Sequence, residues 1–369
     1  MSYITSIGTA NPKHKFSQKV IADFMLGTMR LADVERRKLR AIFNASGIES
    51  RYSVIEDYGK TSNFSFFSKV ADADIFPSTK DRVNLFRAQA PKLSVAAVND
   101  LLKSYPTFDL QTITHLIVVS CTGMYAPGLD IDLVKQLNLK STVQRTAINF
   151  MGCYAAFNAL KIADVICKNE ATSKVLIVCT ELCSLHFQPQ GTEDNVLANA
   201  LFGDGAAAVL LENQTESKLK LSIESFHSDL SKTGEDEMAW TIGDLGFEMK
   251  LSAYIPEIIR SGISELTNSL LKKTAKKFSD IKHFAIHPGG KKILQVIEQE
   301  LGITAHENNS AYDVLRQFGN MSSATVLFVL KDIVANKNVH SGERILSFAF
   351  GPGLTLESMV LNIEQVNHA

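Results

Sequence analysis

The sequence predicts an α/β fold, on two observations. Short apolar runs rich in β-branched residues alternate with helix-length amphipathic segments, and the rhythm recurs in both halves of the chain. That alternation favours α/β layers over an all-β sandwich. Residues 116–120 (LIVVS) form an unbroken apolar run, as a strand covered on both faces would, and 175–179 (VLIVC) and 206–211 read the same way. Residues 154–168 (YAAFNALKIADVICK) carry apolar side chains at three-to-four spacing and predict a packed helix. The later half gives a helix over 258–277, a strand over 283–287, helices over 291–300 and 322–336, and closing strands over 344–350 and 355–363.

The polar stretch 213–218 (NQTESK) follows a buried strand and marks a boundary between an N-terminal half, 1–215, and a C-terminal half, 216–369. No Gly/Ser linker separates them, so the halves are expected to pack as one unit. The acidic, glycine-containing stretch 234–246 predicts an irregular excursion over one face.

Composition narrows the function classes. At 369 residues the chain holds roughly two to three domain-sized units, taking about 150 residues for each. With 45% hydrophobic and 21% charged residues it is an ordinary globular chain and not a disordered one. Lys plus Arg numbers 38 against 39 for Asp plus Glu, a balance that argues against a nucleic-acid binder but leaves room for a local patch facing an anionic cofactor. The start of the chain has neither a basic segment nor a long apolar run, and no stretch of about 20 apolar residues occurs, so a cytoplasmic protein without membrane insertion is expected. Five cysteines with no CxxC pair indicate neither a disulfide scaffold nor a four-cysteine metal site.

Cys153 lies in NFMGCYAA, between an apolar run and the helix expected from residue 154. Gly152 permits a sharp turn, and a cysteine at a helix N-terminus has its thiolate stabilised by free amides and the helix dipole. Such a thiol can hold an acyl group as a thioester; a small buried core thiol is the plainer reading. His287 ends the run HFAIH and is followed by Pro288-Gly289-Gly290, a tight exit that would hold an imidazole at a sheet edge. Asn320, in FGNMSSA, is by itself a possible helix cap. Two glycine-rich elements, LFGDGA around Phe202 and FGPGL with Gly351, Pro352 and Gly353, lack nucleotide fingerprints. They are tight turns, or backbone packed against a reaction centre.

Taken together, Ile7-Gly8-Thr9-Ala10-Asn11-Pro12, Gly152-Cys153, ALFGDGAAA, His287-Pro288-Gly289-Gly290, Gly319-Asn320-Met321-Ser322-Ser323-Ala324 and GPGLTLE closely resemble the type III polyketide synthases, the chalcone-synthase-like branch of the thiolase superfamily. The resemblance covers nearly the whole chain in order. It implies a thiolase-like αβαβα five-layer fold with two pseudo-symmetric halves, a homodimer, acyl-CoA starters, malonyl-CoA extender and no bound cofactor or metal. It also implies Cys153 as nucleophile with His287 and Asn320 completing a triad, and His287 holding the thiolate as an imidazolium pair.

Phe202 matches a gatekeeper between CoA tunnel and cavity, and Met249 aligns with a second gatekeeper that is phenylalanine in plant enzymes. Cys121 stands where plant enzymes often have threonine, as in several bacterial members. Cys183 and His186 replace hydroxyl-bearing residues that shape the cyclisation cavity. Lys38 matches a basic residue that meets CoA phosphates; Ala41 and Ala45 replace two others, and the neighbouring Arg37 and Arg40 are expected to substitute. The implied activity is iterative decarboxylative condensation of malonyl-CoA onto a fatty acyl-CoA starter, ending in an alkylpyrone or alkylresorcinol. The alternatives are a single-round β-ketoacyl synthase of the fatty-acid initiation type, or a non-catalytic acyl-binding or assembly protein.

Overall fold

A computed structural model describes residues 1–365 apart from 30, 68, 71, 72, 75, 232, 336 and 337. The N-terminal portion runs β1 (Tyr3–Ala10), β2 (His14–Ser17), α1 (Gln18–Thr28), α2 (Asp33–Ala45), β3 (Ser50–Ser53), β4 (Lys69–Val70), β5 (Ala73–Asp74) and α3 (Thr79–Ser104). It continues through β6 (His115–Ser120), α4 (Leu129–Gln136), β7 (Gln144–Asn149), α5 (Ala155–Asn169), β8 (Lys174–Leu182), α6 (Glu193–Leu201) and β9 (Asp204–Glu212). There follow β10 (Lys220–Leu230), β11 (Met238–Gly243), β12 (Gly246–Leu251), α7 (Ile255–Thr274), β13 (Ile281–Ile286), α8 (Lys291–Leu301), α9 (Asn309–Phe318), α10 (Thr325–Ala335), β14 (Arg344–Gly351) and β15 (Thr355–Gln365).

The elements expected from periodicity are present, with ends shifted by a few residues. Residues 322–324 form a separate tight turn ahead of α10, and the end of the expected helix at Asn336 lies outside the described residues. One expectation is corrected. The stretch 234–246 is not irregular throughout: it contains a short helical turn (Glu235–Glu237) and β11, which pairs antiparallel with β12 over six residue pairs from Met238↔Leu251 to Gly243↔Gly246.

Nine strands form one sheet in the order β13-β14-β15-β10-β1-β9-β8-β6-β7. A pattern repeats within it. In each half the first strand is antiparallel to the last, the last is antiparallel to the one before it, and that strand is parallel to an earlier one (β1-β9-β8-β6 and β10-β15-β14-β13). The two runs meet at a short antiparallel contact, Tyr3↔Ser222 and Ile4↔Leu221.

Alternation along the strands sorts their side chains into two cores. On β6, Leu116 and Val118 face α1, α3 and α4, whereas Ile117 and Val119 face α5 and α10. Helices α5 and α10 touch both sheet runs, and α7 and α8 close the far side, which gives the αβαβα layering. Gly8 is where an outer helix comes closest. A Cβ there would lie 2.1 Å from the Ala97 carbonyl oxygen and 2.2 Å from the Leu101 amide nitrogen of α3. Those are backbone atoms and cannot swing aside, so Gly8→Ala should cost about 3 kcal/mol and lower the urea midpoint clearly. An unchanged midpoint would show that strand and helix separate freely.

Candidate active site

The chain leaves β7 through Phe150 and Gly152, both with left-handed backbone (φ 60° and 75°), and turns directly into α5. A side chain at Gly152 would place its Cβ 2.2 Å from Pro352 Cδ, so only glycine allows this turn to press against the 351–353 loop. Gly351 is held just as closely, since a Cβ there would lie 2.5 Å from Tyr154 Cδ1. The turn sets Cys153, buried, just ahead of the first residues of the central helix α5.

His287 follows β13 by one residue and is 1% exposed. Its amide donates to the Phe348 carbonyl of the parallel neighbour β14 (2.9 Å), and Gly289 closes a tight turn by donating to the His287 carbonyl (2.9 Å). Neither ring nitrogen has a hydrogen-bond partner. Asn320 follows α9 through Gly319, whose Cβ would meet the Leu201 carbonyl at 2.7 Å. The Asn320 amide donates to Leu201 and its carbonyl accepts from Gly203, both at 2.9 Å. Its side-chain Oδ1 accepts from the Ser322 amide at 2.8 Å, which fixes the amide's orientation and leaves Nδ2 3.9 Å from Cys153 Sγ.

These three residues line one cavity of about 30 Å3, together with Cys121, Cys183, Phe202 and Met249. Phe202, Met249, Cys183 and Trp240 also line an adjoining chamber of about 40 Å3, which His186 borders. The structure therefore brings together every cavity residue singled out in the sequence. It also adds the hairpin as a wall. Trp240 of β11 donates from Nε1 to the Cys121 carbonyl at 2.6 Å. His186 Nδ1 accepts from the Phe247 amide (2.9 Å), so the proton sits on Nε2 and donates to the Thr122 carbonyl (2.7 Å). Its ring stacks on Phe247 with centroids 4.2 Å apart. Burial pushes this imidazole down to about 3, so His186 is a neutral pin holding the hairpin over the site.

Glu181, which no sequence motif singles out, is fully buried. Its carboxylate accepts from the Cys121 amide (3.0 Å), from Thr122 Oγ1 (2.8 Å) and from Ser323 Oγ. Burial raises its pKa, and these donors oppose the rise. It ties the end of β6 to the turn that carries Asn320.

The basic residues of α2 fall on different sides of the helix. On α2, Lys38, Ile42 and Ala45 line an outer cleft that shares Leu251, Gly289 and Ile293 with the Cys153 cavity. Arg37 and Arg40 are exposed but lie off that stripe, because neighbours one and two residues away on a helix point about 100° and 200° elsewhere. Among the described residues no group of three or more His, Cys, Asp or Glu side chains is placed to hold a metal ion, and no helix is long and apolar enough to cross a membrane.

The layered fold, with a cysteine turn at the head of a central helix, is that of the thiolase-like enzymes. Comparison with known proteins narrows this. The models for chalcone and stilbene synthases match at residues 1–214 (N-terminal domain) and 223–364 (C-terminal domain). The chain is 32% identical to the alpha-pyrone synthesis polyketide synthase-like Pks18 of Mycobacterium tuberculosis, over 98% of this chain and 91% of that one. It is also 32% identical to a putative chalcone synthase of Bacillus subtilis, over 99% and 100%. The crystal structure of the C-terminal type III polyketide synthase domain of Steely1, a type I/III hybrid from Dictyostelium, superposes with a TM-score of 0.89 at 31% identity, covering 99% of both chains. The chain belongs to the chalcone and stilbene synthase family and is a type III polyketide synthase, an acyltransferase.

In the cavity the thiol and the imidazole are each disfavoured as ions. Burial, with the charge of Glu181 adding to it, pushes Cys153 up to about 12 against hydrogen bonds from Ser322 and Asn320 that lower it, and burial pushes His287 down to about 3. Each charge is disfavoured alone, and only a thiolate and an imidazolium formed together offset one another. Removing the imidazole removes that offset. In His287→Ala, iodoacetamide alkylation of Cys153 at pH 7 should therefore fall at least about tenfold, then climb about tenfold per pH unit toward pH 9. Equal rates in both proteins would show that the two groups do not share a proton.

Proposed function

We propose that this type III polyketide synthase extends a fatty acyl-CoA starter with malonyl-CoA and releases an alkylpyrone or alkylresorcinol. The reading is carried by the convergence of Cys153, His287 and Asn320 on one buried cavity that opens through a cleft to the surface. In it, Cys153 Sγ attacks the starter thioester, and CoA leaves with the proton that His287 has held. Malonyl-CoA then enters. As carbon dioxide departs, its bonding electrons move onto the thioester oxygen, where His287 and the Asn320 Nδ2 donate hydrogen bonds. The enolate carbon attacks the Cys153 thioester, a carbon–carbon bond forms and the thiolate is expelled. Return of the product to Cys153 allows another round, and cyclisation ends the series. No bound cofactor enters this scheme. Residues 1–215 supply the nucleophile and 216–369 the imidazole and amide.

The fatty starter is supported by Met238, Met249 and Leu251 in the inner wall. Flexible, apolar side chains close around an unbranched chain more readily than around a rigid ring. The name of the mycobacterial relative supports a pyrone product. We also propose a homodimer joined along β7. That strand ends the sheet and is mostly exposed, and Ile162 and Val165 of the adjacent α5 are exposed at 37% and 58%. The five buried free thiols fit a reducing cytoplasm.

Incubation with an acyl-CoA panel and malonyl-CoA, followed by mass spectrometry, should show a Cys153 adduct and a cyclised tri- or tetraketide for long starters. A one-round β-ketoacyl product alone would instead indicate an initiation-type synthase, and no adduct in folded protein would sink the reading. Asn320→Ala should slow malonyl decarboxylation by about 10²-fold or more while starter loading falls far less. Equal loss at both steps rejects its assigned role. Met249→Phe should shift starter or chain-length preference, and an unaltered product profile would remove Met249 from the specificity wall.

A further inference from the structure

Arg51 lies on β3, 3% exposed, and lines the inner chamber that Phe202 also borders. No step of the reaction uses it. Its surroundings meet at the C-terminal end of α6. A helix leaves its last carbonyls without partners inside the helix. Here those of Ala200, Leu201 and Phe202 are taken up one by one. Gln18 Nε2 donates to Ala200 (2.7 Å), the Asn320 amide to Leu201 (2.9 Å), and Arg51 Nη1 to Phe202. Gln18 Oε1 in turn accepts from Arg51 Nε at 2.9 Å. A cation at this end also suits the helix dipole.

The stem of Arg51 fills the space beside two glycines. A Cβ on Gly319 would lie 2.8 Å from Arg51 Cδ, and one on Gly203 would lie 3.4 Å from Arg51 Cβ. Gly319 precedes Asn320 and Gly203 follows Phe202, and Phe202 and Asn320 bridge one another. One side chain therefore touches both flanks of the pair. Stability alone does not account for it. Burial pushes the guanidinium down to about 10, and Nη2 is buried with no hydrogen-bond partner among the described residues. An apolar side chain of the same length would cost less to bury.

We propose that Arg51 is a positioning residue for the condensation: by holding the Phe202 carbonyl and packing against Gly203 and Gly319, it sets where the Asn320 amide meets the malonyl thioester. This rests on the decarboxylation role given to Asn320 above. The forked guanidinium serves Gln18 Oε1 and the Phe202 carbonyl in fixed directions, which an apolar side chain cannot do. A donor displaced by about 1 Å is enough to slow a reaction about 10²-fold. Starter loading draws far less on Asn320 and is spared.

The test compares Arg51→Met, Gln18→Ala and Asn320→Ala with wild type, thermal melts confirming the fold. Two rates are read, Cys153 acylation by an acyl-CoA and carbon dioxide release from malonyl-CoA. Hydrogen exchange over 200–205 and 318–322 is followed by mass spectrometry, with β6 as reference. Arg51→Met should slow release about tenfold or more, keep acylation within about threefold, and quicken exchange in both stretches while β6 is unchanged. Gln18→Ala, which leaves Nη1 in place, should slow release about threefold with acylation intact, and it decides the matter should Arg51→Met fail to fold. In the Asn320→Ala background Arg51→Met should add less than about twofold, because a residue acting through Asn320 has nothing left to position. Equal loss at both steps, or a full further loss in the double variant, makes Arg51 a structural support and overturns the proposal. Unchanged release and exchange in Arg51→Met beside a slow Asn320→Ala overturns it as well, and the synthase reading stands. Normal release in Asn320→Ala overturns the chemistry given to Asn320 and the proposal with it.

Discussion

Contact between a glycine that has no side chain and a proline ring governs this structure. Gly152 in one half and Pro352, flanked by Gly351 and Gly353, in the other approach so closely that a methyl group would not fit between them. Because neither a glycine backbone nor a proline ring can swing to another rotamer, this contact fixes the depth and direction of the Cys153 turn more firmly than flexible side chains would. The left-handed residues Phe150 and Gly152 are the local cost of reaching it. The His287 and Asn320 positions are fixed in the same way, by main-chain hydrogen bonds to Phe348, Leu201 and Gly203.

Around that frame the polar groups divide by whether their needs are met. Glu181 is surrounded by donors and His186 uses both ring nitrogens, so each serves as a strut. Asp204 belongs with them: burial pushes its carboxyl up to about 6, against donors from Val54 and Ser184 that tie β3 to the base of the cavity. Among the described residues, both ring nitrogens of His287 are buried and without a hydrogen-bond partner. A buried donor without an acceptor is costly, and a substrate carbonyl or a thiolate would relieve it.

The sequence made some of this legible and hid the rest for identifiable reasons. Buried strands such as β6 and β8 announce themselves because covered strands need unbroken apolar runs. Cys153 is recognisable from a glycine placed before a helical pattern. The hairpin is obscured by the charged and glycine residues around it, although Met238 and Trp240 on β11 and Phe247, Met249 and Leu251 on β12 alternate as strand residues do. Glu181 resembles the polar end of a strand until its donors, distant in sequence, are assembled around it. Arg37 and Arg40 stand beside Lys38 along the chain, whereas a helix sorts neighbours by angle.

Phe202 illustrates how the architecture constrains evolutionary change. Its flanking residues, Leu201 and Gly203, exchange backbone hydrogen bonds with Asn320, so the aromatic wall and the amide donor belong to one rigid piece. The Met249–Trp240 wall stands on a separate hairpin fastened by His186, Gln188 and the Trp240 ring. Mutational drift at the first wall is therefore pleiotropic, altering turnover along with fit. At the second it is modular, and lineages descending from such a scaffold can diversify their products there while the reaction itself is inherited intact.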